Sequence, residues 1–164
     1  MKVMVISDTH GKDEELQMAI QLEKPFDHLI HCGDVEGQEA YVQSLAGCPC
    51  TIVAGNNDFF SELKREEQII LMGHNILVSH GHLYGVSMDL AWLRDEARSR
   101  ECDLAFFGHT HKPVAECRDG LWVVNPGSLS YPRQIGKLPS YAVVEFSEDG
   151  NVTAEIRYLK ERIL

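Results

Sequence analysis

A chain of 164 residues, 44% hydrophobic and 24% charged, suits one domain over residues 1–164 that buries its own core, and excludes disordered or collagen-like chains. A formal net charge of −10 argues against a stable nucleic-acid-binding surface, which needs Lys and Arg for phosphate contacts, but not against a small phosphorylated substrate met through bound cations. Cys32, Cys48, Cys50, Cys102 and Cys117 show no disulfide or CxxC spacing and read as reduced thiols of a cytoplasmic protein. No segment resembles a signal peptide or the ~20 apolar residues of a membrane span, so no membrane attachment is expected.

The first apolar run, Val3–Ile6, reads as a strand. A helix is expected over Asp13–Glu23, with Asp13 as N-cap, helical spacing at Leu16, Ala19, Ile20 and Leu22, and Pro25 ending it. A strand His28–Cys32, a helix from about Gln38 to Leu45 and a strand Thr51–Ala54 follow. Gln68–Met72 and Ile76–Ser79 read as a hairpin around Gly73-His74-Asn75. Ser87 is expected to cap a helix through Arg98 whose apolar side carries Leu90, Ala91, Leu93 and Ala97. Leu104–Phe107 is another strand. Val114–Cys117 and Leu121–Val124 flank Asp119-Gly120, a pair that favours a primed hairpin turn. Tyr141–Phe146 and Val152–Leu159 form a last hairpin across Glu148–Asn151. Alternation in front and antiparallel pairing behind predict an α/β sandwich of two packed sheets with outer helices.

Five of these strands end on chemistry. Val3–Ile6 leads into Asp8 and His10, His28–Cys32 into Asp34, Thr51–Ala54 into Asn56, Ile76–Ser79 into His80, and Leu104–Phe107 into His109 and His111. Ligands bind beyond the carboxyl ends of parallel strands, so strands that share a direction bring these tails together. Carboxylates, an amide oxygen and imidazoles are donors for Mn, Fe, Ni, Zn or Co, and the lack of thiolate disfavours structural zinc. Seven donors exceed one tetrahedral ion and suit two ions about 3.5–4 Å apart sharing a carboxylate, the arrangement of two-metal phosphoryl hydrolysis. Gly33, Gly55 and Gly108 precede ligands, where a sharp turn or close backbone approach is expected. Asp8-x-His10 and His109-x-His111 are expected to lie on one side of extended segments.

Each residue alone has a plainer reading. Asp8, Asp34 and the Asn57-Asp58 pair fit ordinary turn chemistry. His28 and His74 read as surface residues, and His31 as a packing or supporting group. His82 lies two residues past a candidate ligand and reads as substrate-facing or supporting. Asn125-Pro126-Gly127-Ser128 either meets a phosphate through its amides or forms a rigid turn beside His109 and His111. Tyr131 and Arg133 either face substrate or are solvated, and the Tyr131–Tyr141 loop is a rim or a contact surface.

The set Asp8-x-His10, Gly33-Asp34, Gly55-Asn56-Asn57-Asp58, His80-Gly81-His82 and Gly108-His109-Thr110-His111 resembles the calcineurin-like metallophosphoesterase superfamily, in motif order across most of the chain. Its length and Asn-Pro-Gly-Ser turn resemble the small single-domain YfcE-like phosphodiesterases. The resemblance implies a four-layer αββα sandwich of two mixed sheets flanked by helices. It implies that Asp8, His10 and His111 hold one divalent ion, Asn56, His80 and His109 a second, with Asp34 bridging. Mn is the favoured metal, with Ni, Fe, Co and Zn as alternatives. The implied activity is hydrolysis of a small phosphodiester by a metal-bridging hydroxide, with Asp34, Asn57 and His82 as catalytic residues. Many members carry His where this chain has Asn57, and an amide does not titrate near neutrality. Good leaving groups are therefore expected to be favoured unless His82 or the substrate supplies a proton. The alternatives are a phosphomonoesterase, or a scaffold module like the retromer subunit of this fold, which has lost part of its metal set. Homo-oligomer formation is left open by the sequence.

Overall fold

The computed structural model describes residues 1–160. In chain order the described residues form β1 (Lys2–Ile6), α1 (Glu14–Glu23), β2 (His28–His31), α2 (Glu39–Ala46), β3 (Cys50–Ile52), β4 (Glu66–Leu71) and β5 (His74–Ser79). A 3₁₀ turn at His82–Tyr84 follows, then α3 (Ala91–Ser99), β6 (Leu104–Phe106), β7 (Val114–Arg118), β8 (Leu121–Asn125), β9 (Ser140–Phe146) and β10 (Val152–Tyr158).

Two five-stranded mixed sheets result, ordered β10-β9-β1-β2-β3 and β4-β5-β6-β8-β7. β1, β2 and β3 run parallel, as do β5, β6 and β8, and the remaining strands pair antiparallel at the flanks. Strands whose two faces are both covered read as continuous apolar runs, and β1 and β6 do. Val3, Val5 and Ile30 of the first sheet meet Val78, Leu104 and Phe106 of the second in a dry middle layer. The other face of the first sheet, Met4, Ile6 and Leu29, is covered by Leu16 and Ile20 of α1 and Val42 of α2. Leu93 and Ala97 of α3 cover Leu77, Ala105 and Val123 of the second sheet. The expected four-layer sandwich is therefore present.

Several local expectations need correction. The first hairpin turns through Met72-Gly73, both at positive φ (50° and 80°), so His74 already pairs with Leu71 and the turn has two residues. That is the primed geometry which matches strand twist. α3 begins at Ala91, not after Ser87: the Asp89 carboxylate accepts from the Ala91 amide at 2.9 Å, and Ala91 faces solvent. Asp13 occupies the N-cap of α1 but makes no capping bond; its side chain accepts from Gln38 instead. His28 is half-buried and bonds Thr51 of the neighbouring strand at 2.8 Å, and His74 packs on Phe146 beside Asp103. Neither is a plain surface residue. The five cysteines are free thiols. No helix of the described residues is long and apolar enough to cross a membrane.

α1 also departs from its expected apolar stripe. Leu22 is exposed, while its neighbour Glu23 is buried to 2% exposure. Glu23 accepts from Arg157 at 2.6 and 2.8 Å, from Lys2 at 2.6 Å and from the Tyr141 hydroxyl at 2.8 Å. Burial would raise its pKa, but the Lys2 and Tyr141 bonds and the Arg157 charge outweigh it, and the net shift is downward. A folded-state pKa below the unfolded ~4.3 adds stability that is complete above that value and is lost as pH falls through the folded one. Glu23→Gln should cost about 3 kcal/mol at neutral pH, the low end for a broken buried pair because Arg157 reaches solvent. Urea unfolding should show the gap to wild type closing between pH 7 and pH 3; a gap that stays constant would refute this account.

Candidate metal centre

The parallel strands deliver their tails to one edge. Asp8 and His10 follow β1, Asp34 follows β2, Asn56 follows β3, His80 follows β5, and His109 and His111 follow β6. Asp8, His10, Asp34, His80 and His111 close into groups of ion-holding spacing, and Asn56 and His109 lie beside them. Asp8 Oδ1 lies 3.1 Å from His111 Nε2 and 3.8 Å from both His10 Nε2 and His80 Nε2. Asp34 Oδ2 lies 3.4 Å from His80 Nε2 and 3.8 Å from His10 Nε2. The His109 ring sits 5.2 Å from that of His80, with its Nδ1 3.0 Å from Asn56 Oδ1. Two groups, Asp8-His10-His111 and Asp8-Asp34-His80, have the spacing to hold an ion. Asp8 belongs to both groups, and Asp34, a member of the second, stands 3.8 Å from His10 of the first, so bridging is geometrically open to Asp8 as well as Asp34.

The pairs do not converge by extended pleating. Asp8, His10, Asp34, His109 and His111 all have left-handed backbone, with φ of 54°, 49°, 57°, 70° and 58°. Such conformations disfavour residues with a Cβ, cost about 1–3 kcal/mol each and gather at functional sites. Those at Asp8 and His10 are held by bonds between the two loops, Asp8 N to Gly33 O and His10 N to Asp34 O, each 3.0 Å. The glycines act by close approach. A Cβ on Gly55 would stand 2.1 Å from Asp34 Oδ1, and one on Gly108 would stand 2.1 Å from Ser7 Oγ and 2.6 Å from Asp8 Oδ2. Gly33 adds a φ of 106° to contacts of 2.7 Å with Gly55 N and His80 Nδ1.

Outer hydrogen bonds turn the imidazoles. Nδ1 of His80 donates to the Cys32 carbonyl, and Nδ1 of His111 to the Tyr131 carbonyl, both at 2.7 Å. Nδ1 of His10 lies 3.0 Å from Glu36 Oε1. Each bond leaves an Nε2 lone pair facing inward, the arrangement by which carboxylates and carbonyls orient metal-binding histidines. The Nε2 atoms of His10 and His111 are only 3.3 Å apart. Asp8 Oδ2 is satisfied by Ser7 Oγ at 2.6 Å and the His109 amide at 3.1 Å, whereas buried Oδ1 and His80 Nε2 have no hydrogen-bond partner. Lone pairs and carboxylates crowded this way repel unless a cation lies among them. The donor set therefore fits divalent metal ions.

The electrostatics agree. Burial opposes ionisation of Asp34, yet His80 and two bonds of 2.9 Å from the Asn57 amide and side chain hold its carboxyl well below the usual range. Burial likewise opposes the charge on His80, but Asp34 and Asp8 move its pKa up. A metal ion displaces the proton that such a ring otherwise binds. Burial, aided by the charge of His80, moves His82 and His109 down. His82 starts the 3₁₀ turn, its ring 5.4 Å from His80 and 6.0 Å from His109, and its buried Nδ1 lacks a partner. It flanks the cluster and is not in either ion-sized group. Asn57 is tied to Asp34.

Several residues outside the donor set support it. Asp58 Oδ2 accepts from the amides of Asp34 at 2.8 Å and Gly55 at 2.7 Å, and Oδ1 from Glu36 at 2.7 Å. This ties the Asp34 and Asn56 loops together. Asn125 donates to the Gly108 carbonyl at 3.0 Å and Thr110 Oγ1 at 2.9 Å; Ser128 donates to the Asp8 carbonyl at 2.7 Å. Both are fully buried. The Asn125–Ser128 turn is braced internally, with the Gly127 amide donating to Asn125 Oδ1 at 2.9 Å. His31 is pushed down to about 4 by burial. Its Nδ1 accepts from the Gly33 amide at 3.1 Å, so Nε2 carries the proton and donates to Thr9 at 2.9 Å. The Tyr131 ring packs edge-on against His10 with Lys12 over its face. Arg133 contributes its amide to the His111 carbonyl.

The family profile of the calcineurin-like phosphoesterase superfamily domain matches residues 1–149. A probable metallophosphoesterase of Bacillus subtilis, YsnB, is 37% identical over 150 residues, covering 91% of this chain and 86% of its own length. The phosphodiesterase YfcE of Escherichia coli is 27% identical over 169 residues, with 88% of each chain covered. In three dimensions, Zn-complexed Vps29 of Entamoeba histolytica shares the fold at a TM-score of 0.77 and 23% identity, covering 96% of this chain and 99% of its own. The chain belongs to the calcineurin-like phosphoesterase superfamily, whose metal-dependent phosphoesterase chemistry the donor cluster fits.

Proposed function

We propose that the protein is a dinuclear phosphodiesterase acting on small diesters, with Mn the favoured metal and Ni, Fe, Co or Zn as alternatives. The observation that supports it best is the set of inward Nε2 atoms around the unpartnered Asp8 Oδ1. Asp8, His10 and His111 would hold one ion, Asn56, His80 and His109 the other, and Asp34 would touch both. Bound ions of this kind polarise phosphoryl oxygens and make a water acidic enough to serve as nucleophile. The chain's own part is to fix the donors. Glu36 and the Cys32 and Tyr131 carbonyls set three ring orientations, and Asp58 sets the Asp34 loop.

Asn57 donates to Asp34 and holds that carboxylate in place, but it has no proton to give a leaving group. His82 is the titratable group at the edge of the cluster, and its lowered pKa favours the neutral ring at pH 7. Loss of a positioned general acid typically costs ~10²–10⁴-fold, so aryl esters should be hydrolysed far faster than alkyl esters. The net charge of −10 supports a small substrate over nucleic acid, and the free cysteines support a cytoplasmic setting.

The test is hydrolysis of bis-p-nitrophenyl phosphate by chelator-stripped protein before and after Mn is restored. Activity should vanish with the metal and return with it. A strong preference for p-nitrophenyl phosphate would replace the diesterase reading with a monoesterase. Inactivity with two ions bound would favour a binding module.

A further inference from the structure

Beyond Asn56 and His82 the surface opens into a cleft of about 400 Å³, a size ordinary for small-ligand sites. Its walls include Leu63, Arg65 and the Phe59-Phe60 pair. Phe59 is 74% exposed and Phe60 wholly so. Phe60 also has a φ of 59°, a left-handed conformation that a side chain with no local hydrogen bonding rarely adopts. Nearby acids are engaged elsewhere, Glu66 by Arg100 and Glu67 by Lys64, so Arg65 has no ion pair among the described residues. A second cavity of about 870 Å³ shares Asp58 and the Phe59-Phe60 pair with this cleft and adds Glu36, Glu39 and Glu62.

We propose that the Arg65 cleft is the subsite for a nucleoside arm of the diester, its base stacked on the Phe59-Phe60 pair and the Arg65 guanidinium. The proposal rests on the phosphodiesterase reading for the place of the scissile phosphate. Bases stack on exposed aromatic rings and on guanidinium planes, and the chain offers both one step from Asn56. Charge decides between the two cavities. A phosphodiester is an anion: Asp58 borders both cavities and is occupied by backbone amides, but Glu36, Glu39 and Glu62 add three further carboxylates on one side alone, and Arg65 an arginine on the other side alone. Arginine also donates to base carbonyls, which a purely apolar wall cannot do.

Two substrates with the same leaving group test this: thymidine 5′-(p-nitrophenyl phosphate) and methyl p-nitrophenyl phosphate, with Mn-loaded enzyme. Wild type should prefer the thymidine ester by about tenfold or more in kcat/KM, since losing an aromatic stacking partner typically costs roughly five- to a hundredfold. Phe60→Gly, which suits the positive φ and should fold, and Arg65→Ala should each cut that preference at least fivefold, through KM. Equal rates for both esters in wild type, or variants that scale both alike, would overturn the subsite. So would loss of the preference in Lys112→Ala, which alters a separate cavity beside Thr110. Calorimetric titration of thymidine 5′-phosphate into Mn-loaded protein decides the matter even if neither ester is cleaved. Weaker binding in Phe60→Gly upholds the subsite while the hydrolytic reading fails; unchanged binding rejects the subsite.

Discussion

Asp34→Ala should abolish hydrolysis of bis-p-nitrophenyl phosphate and lower the bound Mn below two ions per chain. Its Oδ2 faces both His10 and His80, at 3.8 and 3.4 Å, so its loss removes a donor from both sides of the cluster. It also removes one of the two carboxylates that raise the His80 pKa and leaves the Asn57 side chain without its acceptor. The fall in kcat should exceed the ~10²–10³ that follows removal of a single transition-state contact. Gly55→Ala offers an independent route to the same carboxylate. Its new methyl would stand 2.1 Å from Asp34 Oδ1 and 2.5 Å from the Asp34 amide, closer than any packed contact. Because Gly55 has no positive φ, the effect would come from displacement of Asp34 and not from backbone strain. Metal analysis and kinetics on both variants check the idea. Full metal content and full activity in Asp34→Ala would rule out a role at both ions.

The convergence of the seven donors was legible because short apolar runs announced the strands and each run ended on Asp, Asn or His. What made the tails meet, the parallel pairing of β1 with β2, of β2 with β3 and of β5 with β6, is a long-range property carried by the apolar faces in the middle layer. The left-handed backbone at Asp8, His10, Asp34, His109 and His111 was not legible, since alternation in sequence predicts an extended pleat, whereas the amides of Asp8, His10, Asp34 and His109 answer acceptors on other loops: the Gly33 and Asp34 carbonyls and the Asp58 and Asp8 carboxylates. Local reading failed likewise wherever a side chain answered a distant partner. Glu23 is buried and Leu22 exposed because Arg157 and Tyr141 lie over the end of α1. The start of α3 shifted because Asp89, not Ser87, bonds the first free amide. Asn125 ends β8, which runs parallel to β6, and Ser128 follows it; both support the donors without joining them.

Asp58 shows how much a group outside the donor set can control. Its carboxylate accepts from the amides of Asp34, Gly55 and Glu36 at 2.7–2.8 Å and from that of Val35 at 3.4 Å. Without it those amides lose their acceptor in a partly buried loop, at about 1–3 kcal/mol for each that finds no water. The same loop carries Asp34, and through Glu36 it orients the ring of His10. Asp58→Ala should therefore weaken Mn binding about 10–100-fold, the usual effect of losing a group that orients metal ligands. Activity at fixed Mn should fall with it. Asp58→Asn separates charge from geometry: its amide keeps one acceptor oxygen but turns an NH₂ toward donors that need an acceptor. If Asp58 acts by positioning, Asn should behave nearly as poorly as Ala, and excess Mn should restore a large part of kcat in both. If Asn is fully active, the charge and bonding of Asp58 are dispensable and the Asp34 loop is held by packing alone. If excess Mn restores nothing while two ions are bound, Asp58 affects the reaction itself and not the retention of metal.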